Sequence, residues 1–418
     1  MTDSVLPTPR QLEFHNWELG LFLHFGVRTF NEGHLDWDDK PMSADSFMPT
    51  QFDPRQWAAV ARQAGMKYAV LTAKHHDGFA NWPSKCTEFS VASSPWKNGR
   101  GDVIAEYMEA FRAEGLAVGL YYSPAQWTGG KFKADPKAYD DFFLKQVSEL
   151  MGGQYGQIDL VWFDGCGSDG HQYDWPRLIG EMRRMQPNLL IFNMGDPDMR
   201  WIGNEEGFAP LPVWNTLNLQ DVPGDPTMRL AGNELRYLPA ECDCRLRGYN
   251  WFYSDKDEHT VKPLDVLMGM YYCSVGRGCN LLINVGPDRR GLLPDADANR
   301  LIEFGAEVRR RFGTPVATLK DFEQTEPNVW SFKINGLVDV DHAIIQEDLA
   351  HGQHVKRFRI EFPVPPGIPL YEGQTIGHKA ICQFPLVRRN KMIFRVLEAD
   401  GPVRLRSLEL HDSRMKQL

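Results

Sequence analysis

Three times within the first 125 residues a short apolar run ends in polar side chains, and an amphipathic helix separates each run from the next. Residues 19–26 carry His24 near their end, residues 68–73 open onto Lys74-His75-His76-Asp77, and residues 116–122 end at Tyr122. Asp53 and Pro54 start a helix whose Trp57, Val60, Ala61 and Ala64 share a face and which Gly65 stops. Asp102 caps a second helix, with Ile104, Tyr107, Met108 and Phe111 on one face and Gly115 as its stop. The alternation continues through helices over 136–151 and 175–185, strands over 158–163 and 189–193, and weaker strand signals over 213–217, 248–253 and 280–285. A last amphipathic helix covers 301–312. No phosphate-binding glycine fingerprint follows the first strand, so the pattern predicts an α/β fold of the (β/α)8, TIM-like barrel type over an open sheet. After Gly313 the helical period disappears. Alternating runs such as Arg357-Phe358-Arg359-Ile360-Glu361-Phe362 predict a small C-terminal antiparallel β-sandwich over 314–418, beside a barrel over 1–313. Such a module serves as a buttress or as a sugar-binding surface.

The run Ile158-Asp159-Leu160-Val161-Trp162-Phe163-Asp164-Gly165 is too short and too apolar for anything but a buried strand. It delivers an aromatic residue and an acid at its C-terminal tip, where parallel barrels keep their chemistry. Asp164 is either a catalytic carboxylate beside an apolar wall or a cap for the next helix.

Charge and cysteine content narrow the partners. A formal charge of −9 with no basic run longer than Arg309-Arg310-Arg311 argues against nucleic acid or an anionic membrane. No apolar stretch approaches a membrane span or a signal sequence, and seven cysteines, an odd number, suit a reducing compartment, so a soluble cytoplasmic protein is expected. Cys242-x-Cys244 lacks a second pair at zinc-site spacing.

The polar strand ends are His24, His75, His76, Tyr122, Trp162 and Asp164, with Arg200, Glu205 and Glu206 just past the fifth strand. Barrel geometry converges them on one face. Two carboxyl groups among imidazoles and indoles are what glycoside hydrolysis requires: one protonates the leaving oxygen and the other attacks the anomeric carbon. Twelve tryptophans, among them Trp37, Trp82, Trp127, Trp162, Trp201 and Trp251 near proposed loops, fit a carbohydrate cleft. His75 and His76 have rival readings as metal ligands or as structural histidines. Adjacent strand residues face opposite ways, so the two chelate one ion only where the strand breaks.

In this order the motifs Gly20-Leu21-Phe22-Leu23-His24-Phe25-Gly26, Lys74-His75-His76-Asp77-Gly78-Phe79, Trp82-Pro83-Ser84-Lys85, Trp162-Phe163-Asp164-Gly165, Gly203-Asn204-Glu205 and Asn280-Leu281-Leu282-Ile283-Asn284-Val285-Gly286-Pro287 resemble the glycoside hydrolase family 29 α-L-fucosidases. The Gly-Asn-Glu motif is similar to the branch acting on α-1,3/1,4-linked fucose. The resemblance implies a retaining exo-α-L-fucosidase, with Asp164 as nucleophile and Glu205 as acid/base. His24, His75, His76, Trp37, Trp162 and Arg200 match positions around the fucose, and Asp36 stands where the family usually has Glu. Glu206 and Glu241 are rivals of Glu205. After Ser123-Pro124 the chain has Ala125-Gln126-Trp127 in place of the branch's usual Trp-Asp pair. The implied partner is a fucosylated oligosaccharide or glycoconjugate. No cofactor or metal is implied, because two carboxyl groups and water suffice. A glycosidase for a related 6-deoxy or pentose sugar, or a catalytically silent carbohydrate-binding protein, are the alternatives, and the oligomeric state is open.

Overall fold

The computed structural model describes residues 5–31, 40–128, 131–168, 170–221, 234–364 and 367–414. Eight parallel strands form a nearly closed barrel. β1 (Leu19–Leu23), β2 (Tyr68–Lys74), β3 (Ala117–Tyr122), β4 (Leu160–Phe163) and β5 (Leu190–Phe192) follow one another around it in chain order. β6 (Arg200–Trp201) comes next in the chain, and then a small antiparallel hairpin off the barrel, β7 (Thr216–Asn218) with β8 (Leu235–Tyr237). β9 (Ala240–Arg245) and β10 (Asn280–Asn284) complete the ring, β10 lying against β1 and β9 against β6. A bridge between Phe192 and Met199 joins the remaining edges.

The expected caps are present. The Asp53 side chain accepts from the Arg55 N–H to start helix Pro54–Gln63, and Asp102 accepts from the Ala105 N–H to start Val103–Ala113. Two expected strands are corrected. The sixth barrel strand is Arg200–Trp201 and the seventh Ala240–Arg245, whereas 213–217 leads into the hairpin and 248–253 is a loop. The aromatic run Tyr249-Asn250-Trp251-Phe252-Tyr253 looks like a strand because its rings suit a pleated surface, but here Trp251 walls a cavity. Helix Leu264–Cys273 carried no sequence signal, since it is apolar almost all round and shows no amphipathic period.

Strand parity sorts the side chains into two layers. Phe22, Tyr68, Tyr121, Leu160, Trp162 and Leu282 fill the barrel, while their neighbours Leu21, Ala69, Tyr122, Val161, Phe163 and Ile283 pack outward against the helices. Gly20 is a glycine because a Cβ there would lie 2.5 Å from the Tyr68 ring, which occupies the barrel axis.

Helix Asp295–Phe312 ends the α/β part, and the rest of the chain forms one six-stranded antiparallel sheet. Its strands are β11 (Phe322–Glu326), β12 (Val329–Glu347), β13 (Val355–Phe362), β14 (Ile368–Gly373), β15 (Ala380–Ala399) and β16 (Leu405–His411). β12 and β15 are long and pass through both halves, with register shifts between Lys333 and Val338 and between Val340 and His342. Side chains from both halves, such as Phe332, Phe394, Ile345 and Leu408, share one core, so the sheet folds on itself. Against the barrel, Glu18 accepts hydrogen bonds from His378 Nε2 (3.1 Å) and Lys379 Nζ (2.7 Å), and the Ile381 N–H donates to the Gly276 carbonyl (3.0 Å).

Candidate active site

The C-terminal ends of the barrel strands open into a cavity of about 300 Å³. Inward positions of β1 and β4, the turn after β2, and the inward face of β9 contribute most of it. Its floor is aromatic: Trp162 stacks on Phe192 with centroids 4.2 Å apart and on Tyr121 at 5.5 Å.

Asp164 stands at the tip of β4 with a quarter of its side chain exposed. Its Oδ2 accepts from the Tyr121 hydroxyl at 2.8 Å and faces His76 Nε2 at 3.4 Å, and its Oδ1 accepts from the Cys166 N–H at 2.9 Å. Burial alone would raise its pKa. The hydrogen bond and charge of His76, with the Cys166 and Tyr121 donors, outweigh burial and hold the carboxyl below its ordinary range. Ser123 fixes the imidazole: its hydroxyl donates to the Ala125 carbonyl (2.7 Å), so it accepts from His76 Nδ1–H (2.5 Å). Nε2 is therefore the nitrogen that meets Asp164, and Trp127 stacks on the ring's face at 4.3 Å.

β2 ends at Lys74, so His75 and His76 lie in a turn and both line the cavity, in contrast to opposite faces of a continuous strand. The buried Arg28–Asp77 ion pair, 2.8 Å, and the bond from the Phe79 N–H to Asp77 Oδ1 hold that turn. His75 stacks on Tyr121 at 5.2 Å, and burial keeps it neutral by lowering its pKa well below the usual value. Its Nδ1 is buried with no partner among the described residues. Burial likewise lowers His24 to about 3. Because Asn284 Nδ2 donates to the Trp251 carbonyl (2.7 Å), its Oδ1 accepts from His24 Nδ1–H (2.7 Å), leaving Nε2 as a hydroxyl acceptor. Ligand atoms of His75, His76 and Asp164 lie within 4.8 Å of one another, a spacing that could hold a cation.

Past β6 a turn presents Glu205. Gly203 and Gly207 both take left-handed conformations, and Asn204 Oδ1 accepts from the Glu206 N–H at 3.1 Å. Both glutamates are exposed, but Glu205 lines the cavity, whereas Glu206 pairs through its backbone with Cys244 of β9 and is not among the lining residues. Glu241 lies beneath the cavity in the barrel. Its carboxylate accepts from the Tyr68 hydroxyl (2.5 Å) and Trp162 Nε1 (2.8 Å), and burial raises it to about 7.

Two expected binding residues face elsewhere. Tyr122 points outward by strand parity, donates to Gln146 Oε1 at 2.7 Å and stacks on Phe143; its neighbour Tyr121 is the cavity residue. Arg200 is buried behind β6, where its guanidinium donates to the carbonyls of Trp201 (3.4 Å) and Trp214 (3.3 Å). Trp201, next in sequence, takes the inward position and donates from Nε1 to Asp243 Oδ1 at 2.6 Å. Asp36 and Trp37 lie outside the described residues. Of the other loop tryptophans, Trp127, Trp201 and Trp251 line the cavity, whereas Trp82 is core and donates to Glu149 (2.9 Å).

Sequence reasoning missed Tyr121, Asn193, Asp243 and Arg245, all of which line the cavity. Asp243 is pushed well above the carboxylate range, first by burial and then by the charge of Glu205. The signal was the i, i+2, i+4 spacing Glu241-x-Asp243-x-Arg245, which puts all three on one face of a strand.

The α-L-fucosidase family model matches residues 2–310 of the chain. α-L-Fucosidase 1 of Arabidopsis thaliana is 37% identical over 325 residues, covering 75% of this chain and 62% of that protein. Among solved structures, a glycoside hydrolase 29 family member from an unknown rumen bacterium superposes with a TM-score of 0.88 at 32% identity, covering 99% of this chain and 78% of that one. A Ruminococcus gnavus GH29 fucosidase in complex with fucose gives 0.85 at 25% identity over 98% and 95% of the two chains.

Proposed function

The chain belongs to the α-L-fucosidase family, and from that premise we propose that it is a retaining exo-α-L-fucosidase acting on α-1,3/1,4-linked fucose of branched glycans. The observation that carries this reading is Asp164, its carboxyl held below the ordinary range at a strand tip by an imidazole, a phenol and a backbone N–H, with Glu205 lining the same cavity.

In this mechanism Asp164 attacks the anomeric carbon while Glu205 protonates the leaving glycosidic oxygen. Glu205 then takes a proton from the water that releases fucose from Asp164. Glu205 sits exposed in the turn between Gly203 and Gly207, where one carboxyl can meet first the leaving group and then the water. The neutral imidazoles of His24 and His75 bond hydroxyls without competing for the charge on Asp164. Trp162 and Trp251 offer faces for the sugar's C–H surfaces.

The test is fucose release from an aryl α-L-fucoside and from an oligosaccharide carrying α-1,3- or α-1,4-linked fucose, with the first-formed anomer followed by NMR. Release of the α-anomer from the branched glycan supports the full reading. Equal cleavage of both substrates removes the linkage preference, and first release of the β-anomer removes the double displacement. Glu205→Gln is expected to lose about 10²- to 10⁴-fold on the glycan and far less on an aryl fucoside whose leaving group needs no proton. Equal losses on both would reassign the acid.

A further inference from the structure

Arg245 is the last inward residue of β9, above Asp243 and Glu241, and it lines the cavity. Its NH1 donates to the Tyr249 carbonyl at 3.2 Å and its guanidinium lies 5.4 Å from the centroid of Trp251. No carboxylate among the described residues comes within ion-pair distance of it, although the cavity wall carries Asp164, Glu205 and Asp243. Asp164 faces His76 and Asp243 accepts from Trp201 Nε1, so neither takes Arg245 as its partner and the mechanism leaves this cation without a task. A guanidinium fixed by one carbonyl and one ring face keeps further N–H groups for a planar anion. Tyr249, whose carbonyl anchors the guanidinium, is itself 65% exposed, a large ring open to solvent next to the cation's anchor.

From this placement we propose that Arg245, flanked by Tyr249, is a subsite for an anionic group, a sulfate ester or a carboxylate, on the sugar that carries the fucose. The proposal rests on the fucosidase reading and adds its substrate class. The chain's net charge of −9 gives no general attraction for anionic glycans, so a preference for them must come from a local cation. It must also weaken with salt, because the group sits at an exposed mouth.

The experiment compares three fucosides of one linkage: a neutral trisaccharide, the same with a sulfate ester on the fucose-bearing sugar, and the same with a carboxylated sugar there. The kcat/KM of each is measured at low and high ionic strength for the native enzyme, Arg245→Gln and Arg245→Lys. The expected result is an anionic-to-neutral ratio of about ten at low salt, falling to about one in Arg245→Gln and partly kept in Arg245→Lys. Which anion is favoured identifies its source. A ratio near one in the native enzyme, or one that Arg245→Gln leaves unchanged, overturns the proposal while the neutral substrate still attests the fucosidase. A loss equal on neutral and anionic substrates also overturns it, since Arg245 would then only support the cavity. If none of the three is cleaved, both readings fall.

Discussion

β4 and β9 build the same cavity by opposite means. β4 is apolar along its length and presents one charged residue, Asp164, just past its end. There His76, Tyr121 and the Cys166 N–H converge to keep it ionised. β9 carries charge along its whole inward face, and its depth in the barrel sets the state of each group. Glu241 is raised to about 7 on the floor, burial pushes Asp243 well above the ordinary carboxylate range, and Arg245 lines the cavity at the strand's end. The contrast teaches that donors around a carboxyl lower its pKa here, whereas a hydrophobic setting and a charged neighbour raise it. The same substitution on the two strands should therefore have different consequences. Asp164→Asn is expected to lower kcat by about 10⁴-fold or more, because it removes the attacking atom. Asp243→Asn leaves an amide whose oxygen can still accept from Trp201 Nε1, and kcat should stay within about threefold of native at neutral pH. Steady-state kinetics on the branched glycan, whose leaving oxygen needs a proton, decides, and a collapse in Asp243→Asn there would make Asp243 the proton donor.

Glu241 sharpens the comparison through stability. In the unfolded chain its pKa is near 4.5 and in the barrel about 7. Below pH 4.5 both states hold the proton. Between 4.5 and 7 only the folded state does, so stability falls as pH rises through that window, by up to about 3 kcal/mol. Glu241→Gln keeps its oxygen as the acceptor for Trp162 Nε1, turns an NH2 toward the Tyr68 hydroxyl oxygen, which can accept, and carries no charge. It is expected to gain thermal stability relative to native as pH goes from 4.5 to 7.5, and parallel pH profiles of Tm for the two proteins would refute this. His24 acts in the opposite sense. Its folded pKa of about 3 costs stability as pH falls from 6.5 toward 3, so the difference between the two proteins, not either curve, isolates Glu241.

The barrel was readable in the sequence wherever a strand buries both faces in apolar surroundings, as β1 to β5 do. It was unreadable where the inward face serves the cavity. Ala-Glu-Cys-Asp-Cys-Arg has no strand-like hydrophobic pattern, and the eye goes to Cys242-x-Cys244, which point outward into the helix layer as small apolar groups. β6 is two residues long, below what any period can show. Among the site residues, those at strand ends with a motif around them, His24, His75, His76, Trp162, Asp164 and Glu205, line one cavity. Arg200 and Tyr122 do not line it, and strand parity is the reason: each has as its immediate neighbour the residue that faces inward.

That difference in parity supplies the smallest effect. Tyr121 and Tyr122 differ by one position on β3, and each hydroxyl has one acceptor of its own: Asp164 Oδ2 at 2.8 Å for Tyr121, Gln146 Oε1 at 2.7 Å for Tyr122. Tyr121→Phe removes a donor to a carboxylate that depends on donors, so kcat/KM should fall about tenfold and its acidic limb move to higher pH. Tyr122→Phe leaves a buried amide oxygen unpaired behind the strand. It should cost about 1–2 kcal/mol in unfolding and leave KM and the pH profile as they were. Two phenylalanine variants, one methylene-free deletion of an oxygen each, thus separate the cavity face of β3 from its packing face. A KM change in Tyr122→Phe, or an unmoved acidic limb in Tyr121→Phe, would show that the two faces are not independent.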